Sequence, residues 1–422
     1  MAKQNVIIVG AGLAGVSAAH ALRERGHEVL VLDAHAGPAR ETSFANAGAL
    51  TPSEPEPWNA PGVHWQLLAS LADPHSAMKL RLAPLPGLIP WGLKFLANST
   101  RKRYAAACQA NFALSRYSLA QTQAVRDRHK LDFANLARGT MKVCRDQQAL
   151  DQRQQTGKAL TEAGLRYEIL DREATLAREP LLADVADQLA GAIYYPDDES
   201  GDAHLFTAAL SEVAHEAGAR FEYNSPVTSL IDRAGRIVGV RTATEEIEAD
   251  QVVLATGHTS RRLLAPLGLH IPVRPVKGYS LSLDMSQLNQ RPSLPVVDEA
   301  LHAIVTPLGD TLRIAGTAEF AGEDRRLREE RIDNLRLLLT RLYPDIAAKL
   351  LPGDQKAWCG FRPMSADGRP VIGETRAPGL WISTGHGHLG WTQAMGSAGL
   401  LAALMDGDEA PVPAEAFSAK RF

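Results

Sequence analysis

The sequence predicts an α/β protein, and three observations predict it. The first thirty-odd residues alternate a β-branched run, a glycine turn, a helix and a second apolar run. The same signals return far along the chain, in an apolar strand over residues 247–257 that closes on Ala255-Thr256-Gly257, and in a strand, glycine-rich turn and helix over residues 380–405. Between them, residues 273–320 are a run of strands with a hairpin, which argues for a second sheet inserted into the first unit.

Val6-Ile7-Ile8-Val9 is the opening strand, and Gly10-Ala11-Gly12-Leu13-Ala14-Gly15 follows at once. Residues 16–25 read as a helix ended by Gly26, and residues 28–32 as a strand that closes on Asp33. Gly10 permits a tight turn, Gly12 lets backbone approach a pyrophosphate, and Gly15 lets the helix pack closely on the strand. The helix N-terminus offers free N–H groups and partial positive charge to phosphates. Asp33 stands where a carboxylate accepts the hydroxyls of an adenosine ribose. The unit is therefore Rossmann-like and is expected to bind a dinucleotide.

Composition narrows the class. A net charge of −3 gives no reason to expect a nucleic-acid partner. The three cysteines, Cys108, Cys144 and Cys359, are far apart, which fits a reducing compartment without a disulfide framework or zinc site. The first strand begins by Val6, so no secretory leader is expected, and no apolar run is long enough to span a membrane. The expectation is a cytoplasmic enzyme.

Along the chain, residues 40–48 (Arg40 to Gly48) are small and polar, suited to pass a large flat ligand and donate hydrogen bonds to it. Residues 51–98 carry many prolines with Trp58, Trp65 and Trp91; within them, residues 80–91 read as a covering loop or surface-seeking element, not a core helix. Helices are expected over 101–130, 147–163, 172–178, 204–218 and 328–342. Strands are expected over 139–144, 191–195, 220–223, 227–231, 237–242 and 356–364, the last with Arg362 in an apolar setting. The acidic turn over 196–202 lacks EF-hand spacing, and no metal is expected.

With these residues in view, the chain resembles the FAD-dependent D-amino acid oxidase and glycine oxidase superfamily, on its D-amino acid dehydrogenase side. The likeness covers nearly the whole chain. Its anchors are Gly10 to Gly15, Glu41-Thr42-Ser43-Phe44-Ala45-Asn46-Ala47-Gly48 and Pro275-Val276-Lys277-Gly278-Tyr279-Ser280. Gly360-Phe361-Arg362-Pro363-Met364 and Gly385-His386-Gly387-His388-Leu389-Gly390-Trp391-Thr392 complete them.

The resemblance implies an FAD-binding domain over residues 1–50, 196–262 and 356–422. It implies a substrate domain over 51–195 and 263–355, built on a mixed or antiparallel sheet. It also implies the reaction: a D-amino acid loses its α-hydrogen as hydride to flavin N5, and the imine hydrolyses to a 2-oxo acid and ammonia. FAD contacts are implied for Gly10, Gly12, Leu13, Ala14, Gly15, Asp33, Ala34, Arg40, Thr42, Ser43, Asn46, Ala47 and Gly48. Val227, Thr256, Gly257, Gly387, His388, Leu389, Gly390 and Thr392 are implied as further contacts. Arg362, whose planar fork matches a carboxylate, is the implied carboxylate ligand. Tyr279, on the same side of its strand as Lys277, is expected to donate its hydroxyl to that carboxylate, and His386 to line the substrate site. Glu319 and His302 are further pocket candidates. The Gly385 to Gly390 turn opens a helix whose N–H groups suit negative charge at the flavin.

Two other readings compete: an oxygen-using oxidase of glycine, sarcosine or cyclic D-imino acids such as D-proline, and a non-catalytic FAD-binding subunit. The dehydrogenase likeness implies a quinone acceptor, hence peripheral contact with the inner face of a bacterial plasma membrane. The leucines, Ile89, Trp91 and Phe95 of residues 80–96 supply a composition for that contact. FAD is expected without a covalent link, with Cys359 as the residue that could carry one.

Overall fold

Asn5–Val9 sits at the middle of a six-stranded sheet, flanked by Glu28–Leu32 and Gln251–Leu254, both parallel to it. Arg220–Glu222 extends one side; Leu380–Thr384 and the antiparallel Val371–Glu374 extend the other. The structure is a computed structural model that describes residues 3–65, 67, 78–298, 301 and 303–422. Alternation along the central strand sends its side chains to two cores. Val6 and Ile8 pack with Val16, Leu22, Leu210 and Leu400 from the helices Leu13–Glu24, Ala203–Glu216 and Gly390–Asp406. Ile7 and Val9 pack with Ile237 and Val240 of a small three-stranded sheet.

The second sheet has nine strands. Its path runs Gln355–Ser365, Val273–Asp284, Thr311–Phe320, Ala303–Leu308, Val296–Asp298, Thr140–Cys144, Gly191–Tyr195 and Glu168–Leu170, with Met78–Leu80 added beside Thr311–Phe320. Val296–Asp298 and Met78–Leu80 make parallel pairs and the rest are antiparallel, so the sheet is mixed. Glu329–Leu342 covers one face, where Ile332, Leu335, Leu338 and Leu339 meet Tyr279, Leu281 and Ile314. The opposite face looks toward the first sheet, and the cavity lies between them.

Several expectations differ from this architecture. The strand read over 247–257 is two, Glu246–Glu248 in the small sheet and Gln251–Leu254 in the large one. The chain turns between them, where the Asp250 N–H donates to the Asn5 carbonyl. The segment over 80–91, read as a covering loop or surface-seeking element and not a core helix, leads into a helix, Leu85–Ala97. Pro86 falls in the first turn, where no intrahelical N–H is needed, and Pro90 is accommodated inside. Leu88, Trp91 and Phe95 are buried, while Ile89, Leu93 and Leu96 are exposed on the other face. Part of the 51–98 stretch, residues 66 and 68–77, lies outside the described residues, as does His302.

Two stretches cross the expected domain division. Gln355–Ser365 pairs along its whole length with Val273–Asp284, so the boundary at 356 falls inside the second sheet. Arg101–His129 packs Leu114, Leu119 and Val125 into the core of the first unit.

Candidate active site

One cavity of about 980 Å³ runs from the glycine turn, past the Arg40 to Gly48 segment, to the face of the second sheet. That is the upper end of the ~300–1,000 Å³ usual for ligand sites. Whether it fits a dinucleotide is decided at the turn. Gly10 has φ +106°, and a Cβ there would lie 2.8 Å from the Ala255 carbonyl oxygen. A Cβ on Gly15 would lie 1.8 Å from the Gly10 oxygen, so the helix packs directly on the turn. Gly12 differs: a Cβ would meet only the Ser43 hydroxyl, at 3.5 Å. The space before the helix is open; Ser43 Oγ accepts the Leu13 N–H at 3.1 Å, and the first turn holds no acid. A helix N-terminus that faces a cavity, with no acid of its own to offset its positive end, suits a pyrophosphate. Asp33 accepts the Ala11 N–H at 2.6 Å and the His35 N–H at 2.8 Å, which fixes its carboxylate at the strand end with lone pairs left for hydroxyl donors. These features fit FAD.

The Arg40 to Gly48 segment joins the two sheets. Thr42 donates to the Phe361 carbonyl at 2.7 Å, Ser280 to the Ala45 carbonyl at 2.6 Å, and Arg313 to the Asn46 carbonyl at 2.7 Å. Among the expected contacts, Gly10, Gly12, Leu13, Ala14, Asp33, Ala34, Arg40, Thr42, Ser43, Asn46, Ala47 and Gly48 line the cavity, as do Val227, Thr256, Gly257, Gly387, His388 and Gly390. Gly15, Leu389 and Thr392 do not line it. Gly15 acts by packing, Leu389 is buried, and the Thr392 hydroxyl accepts the Thr51 N–H at 3.0 Å. The Gly390–Asp406 helix has no N-cap side chain and no acid in its first turn, so its N-terminus presents positive potential to the cavity.

Arg362 holds the opposite wall. Its Nη1 donates to the Thr317 carbonyl at 2.9 Å, and its guanidinium lies 5.4 Å from the centre of the Trp58 ring. Among the described residues it has no carboxylate partner. Burial pushes its pKa down to about 10, so it stays charged at neutral pH. The space for it is made by Gly278, where a Cβ would lie 2.2 Å from Nη1.

The register of the two strands decides which neighbours share this wall. Val276 pairs with Arg362, Gly278 with Gly360 and Ser280 with Trp358, so these residues share one face. Lys277, Tyr279 and Cys359 lie on the other. Tyr279 and Lys277 do share a side, as expected, but it is not the side of Arg362. Tyr279 still reaches the cavity lining, while its ring packs in the core under Glu329–Leu342 and its hydroxyl donates to Glu319 at 2.5 Å. Glu319 is fully buried and answers Arg81, Arg328 and Lys277, the last at 3.5 Å, so it braces the sheet from behind. Cys359 directs its thiol to the Arg325 carbonyl at 3.3 Å.

His386 lines the cavity and is tied to the helix behind it. Its Nε2 lies 3.0 Å from the Ser397 hydroxyl, inside the following helix, where it pins the turn. His388 stacks on Trp58, with ring centres 5.5 Å apart. Burial holds both histidines at about 4, hence neutral at pH 7.

Sequence reasoning missed Trp58 as a site residue, and with it Glu54, Glu56, Lys142 and Arg153, which also line the cavity. Lys142, buried in the apolar strand Thr140–Cys144, carries the same signal that marked Arg362: a cation where apolar residues are expected. Glu54 and Glu56 lie in a loop without periodicity, which gives no such signal.

A sequence profile of the family described as FAD dependent oxidoreductase matches residues 5–404. The D-amino acid dehydrogenase of Vibrio cholerae serotype O1 is 37% identical over 407 residues, 96% of each chain. That of Rhizobium johnstonii is 38% identical over 419 residues, 99% of each chain. Among solved structures, glycine oxidase from Geobacillus kaustophilus aligns over the whole of both chains with TM-score 0.76 at 24% identity. L-proline dehydrogenase from P. horikoshii aligns over 100% of this chain and 98% of its own, with TM-score 0.78 at 19% identity. These two likenesses establish the shared fold.

Proposed function

The chain belongs to the FAD dependent oxidoreductase family, and from that premise we propose that it is a D-amino acid dehydrogenase, converting D-amino acids to 2-oxo acids and ammonia. The observation that carries this reading is Arg362: a half-buried cation without a carboxylate among the described residues, in the wall of the cavity that also holds the glycine turn. An unpaired cation in a desolvated wall is costly unless a ligand anion completes it, and a planar fork suits an α-carboxylate in two hydrogen bonds. When bound, FAD supplies the redox step, accepting a hydride from the substrate α-carbon. The protein's part is positional. Arg362 and Trp58 hold the carboxylate end, the uncapped Gly390–Asp406 terminus favours negative charge opposite, and the two sheets exclude water. His386 and His388, neutral at pH 7, carry no proton burden in this scheme.

The acceptor is a quinone rather than oxygen, and the chain works at the inner face of the plasma membrane. Among the described residues no helix is long and apolar enough to cross a membrane. A peripheral contact is supported by Ile89, Leu93 and Leu96, 57%, 65% and 41% exposed on one face of the Leu85–Ala97 helix. Beside that helix, Lys94, Arg261 and Arg274 line a groove, and such a pairing suits an anionic headgroup layer. The test is stopped-flow reoxidation after anaerobic reduction. A soluble quinone should reoxidise the flavin quickly and air-saturated buffer slowly; rapid reoxidation by oxygen with stoichiometric peroxide rejects the dehydrogenase assignment.

A further inference from the structure

Away from Arg362, the cavity opens on a chamber walled by Glu54, Glu56, Trp58, Tyr104, Lys142 and Arg153. Two ion pairs cross it. Lys142 Nζ lies 2.9 Å from Glu54 Oε1, and Arg153 Nη1 lies 3.3 Å from Glu56 Oε1. Both glutamates line the cavity and keep part of their side chains open to it, 27% exposed for Glu54 and 18% for Glu56. The cations are in a different position, since Lys142 and Arg153 each make further contacts besides these pairs.

The chamber is preformed. The loop that brings in both glutamates is tied at Thr51 to Thr392, and at Ser53 by a 2.5 Å hydroxyl bond to Asp198. At Pro55 its carbonyl accepts Asn111 Nδ2, 3.0 Å away. Asn111 bonds the Gly368 carbonyl as well, at 2.9 Å.

We infer that this chamber receives the substrate's side chain and selects D-amino acids ending in a hydrogen-bond-donating cation, an ammonium or a guanidinium. The inference rests on the proposed D-amino acid activity. With the α-carboxylate on Arg362, a long side chain reaches past Trp58 toward the carboxylates of Glu54 and Glu56. An apolar chain of the same length would strip water from two ion pairs and return no hydrogen bond. An anionic chain would meet two carboxylates whose cations are already engaged. Burial raises the pKa of the Glu56 carboxyl despite Lys142 and Arg153, whereas the Glu54 carboxyl, buried as well, is held below the ordinary carboxylate range by Lys142.

The test compares kcat/KM for D-lysine and D-norleucine, which differ by the terminal ammonium, with D-arginine, D-methionine and D-glutamate alongside. D-lysine should exceed D-norleucine by about tenfold or more, the discrimination expected of a site built to bond a polar group. Glu56→Gln, and separately Glu54→Gln, should shrink that ratio at full flavin content. D-norleucine equal to or better than D-lysine, preference for D-glutamate, or a ratio unchanged in both variants overturns the inference while leaving the D-amino acid activity standing. Failure of every D-amino acid to reduce the flavin removes the activity itself, and this inference with it.

Discussion

Replacing Arg362 by methionine, which keeps much of its length and removes its charge, should lower activity without lowering stability. The guanidinium has one backbone acceptor, an aromatic face and no carboxylate among the described residues. Its fall to a pKa of about 10 corresponds to roughly 3 kcal/mol against the charged form in the folded state, and water entering the cavity screens part of that. The sign follows from linkage. A cation whose folded pKa is depressed costs stability at every pH below that pKa, so deleting it at neutral pH relieves a cost. A bound carboxylate recovers the same energy through two charge-assisted bonds, worth about 3 kcal/mol together, or a hundredfold in kcat/KM. The assay is kcat/KM with a quinone analogue, beside thermal unfolding and released flavin. Activity should fall a hundredfold or more, with the melting temperature level or raised and flavin content intact. Wild-type kcat/KM in this variant refutes the carboxylate assignment. A large loss of stability refutes the claim that Arg362 lacks an internal carboxylate partner among the described residues.

Other expectations follow from the same geometry. Gly278→Ala places a Cβ 2.2 Å from Arg362 Nη1 and should cost at least about tenfold in kcat/KM at normal flavin content, measured by steady-state kinetics and absorbance. Gly12→Val, at a position with open space before it, should yield a folded protein without FAD, which circular dichroism and the flavin spectrum distinguish from misfolding. His386, its pKa held by burial at about 4 in the folded state, resists protonation that the unfolded chain accepts near 6.5. Its contribution is complete above that value and should be lost as pH falls toward 4, by up to about 3 kcal/mol; thermal melts across this window should flatten in His386→Asn. The Cys359 thiol faces away from Arg362, so acid precipitation should release all yellow colour to the supernatant, and colour kept in the pellet contradicts the pairing of Cys359 with Tyr279 on the far face of the sheet.

The first sheet was legible because its signals are local. Three glycines, an acid and two apolar runs lie within one strand–helix–strand unit, and each has its own steric or electrostatic reason. Arg362 was legible for a related reason, as a cation stranded among apolar residues. That Tyr279 and Arg362 point to opposite sides of the sheet was not, because alternation within one strand does not say how the neighbouring strand is registered. That depends on pairing Gly278 with Gly360, a contact between residues far apart in sequence. The Leu85–Ala97 helix was hidden by its prolines, of which Pro86 falls harmlessly in the first turn while Pro90 stands inside it. Glu54 and Glu56 were hidden in a loop whose shape is set by Thr392, Asp198 and Asn111, none of them nearby in the chain.

The central claim is that this cavity oxidises D-amino acids held through Arg362. The most direct measurement mixes the purified yellow protein anaerobically with the D- and L-enantiomers of one amino acid, following the flavin absorbance and the products. Bleaching by the D-enantiomer alone, with one 2-oxo acid and one ammonia per flavin reduced, is the predicted result. A flavin that dithionite reduces but no D-amino acid bleaches, or one that the L-enantiomer bleaches equally well, would contradict the account.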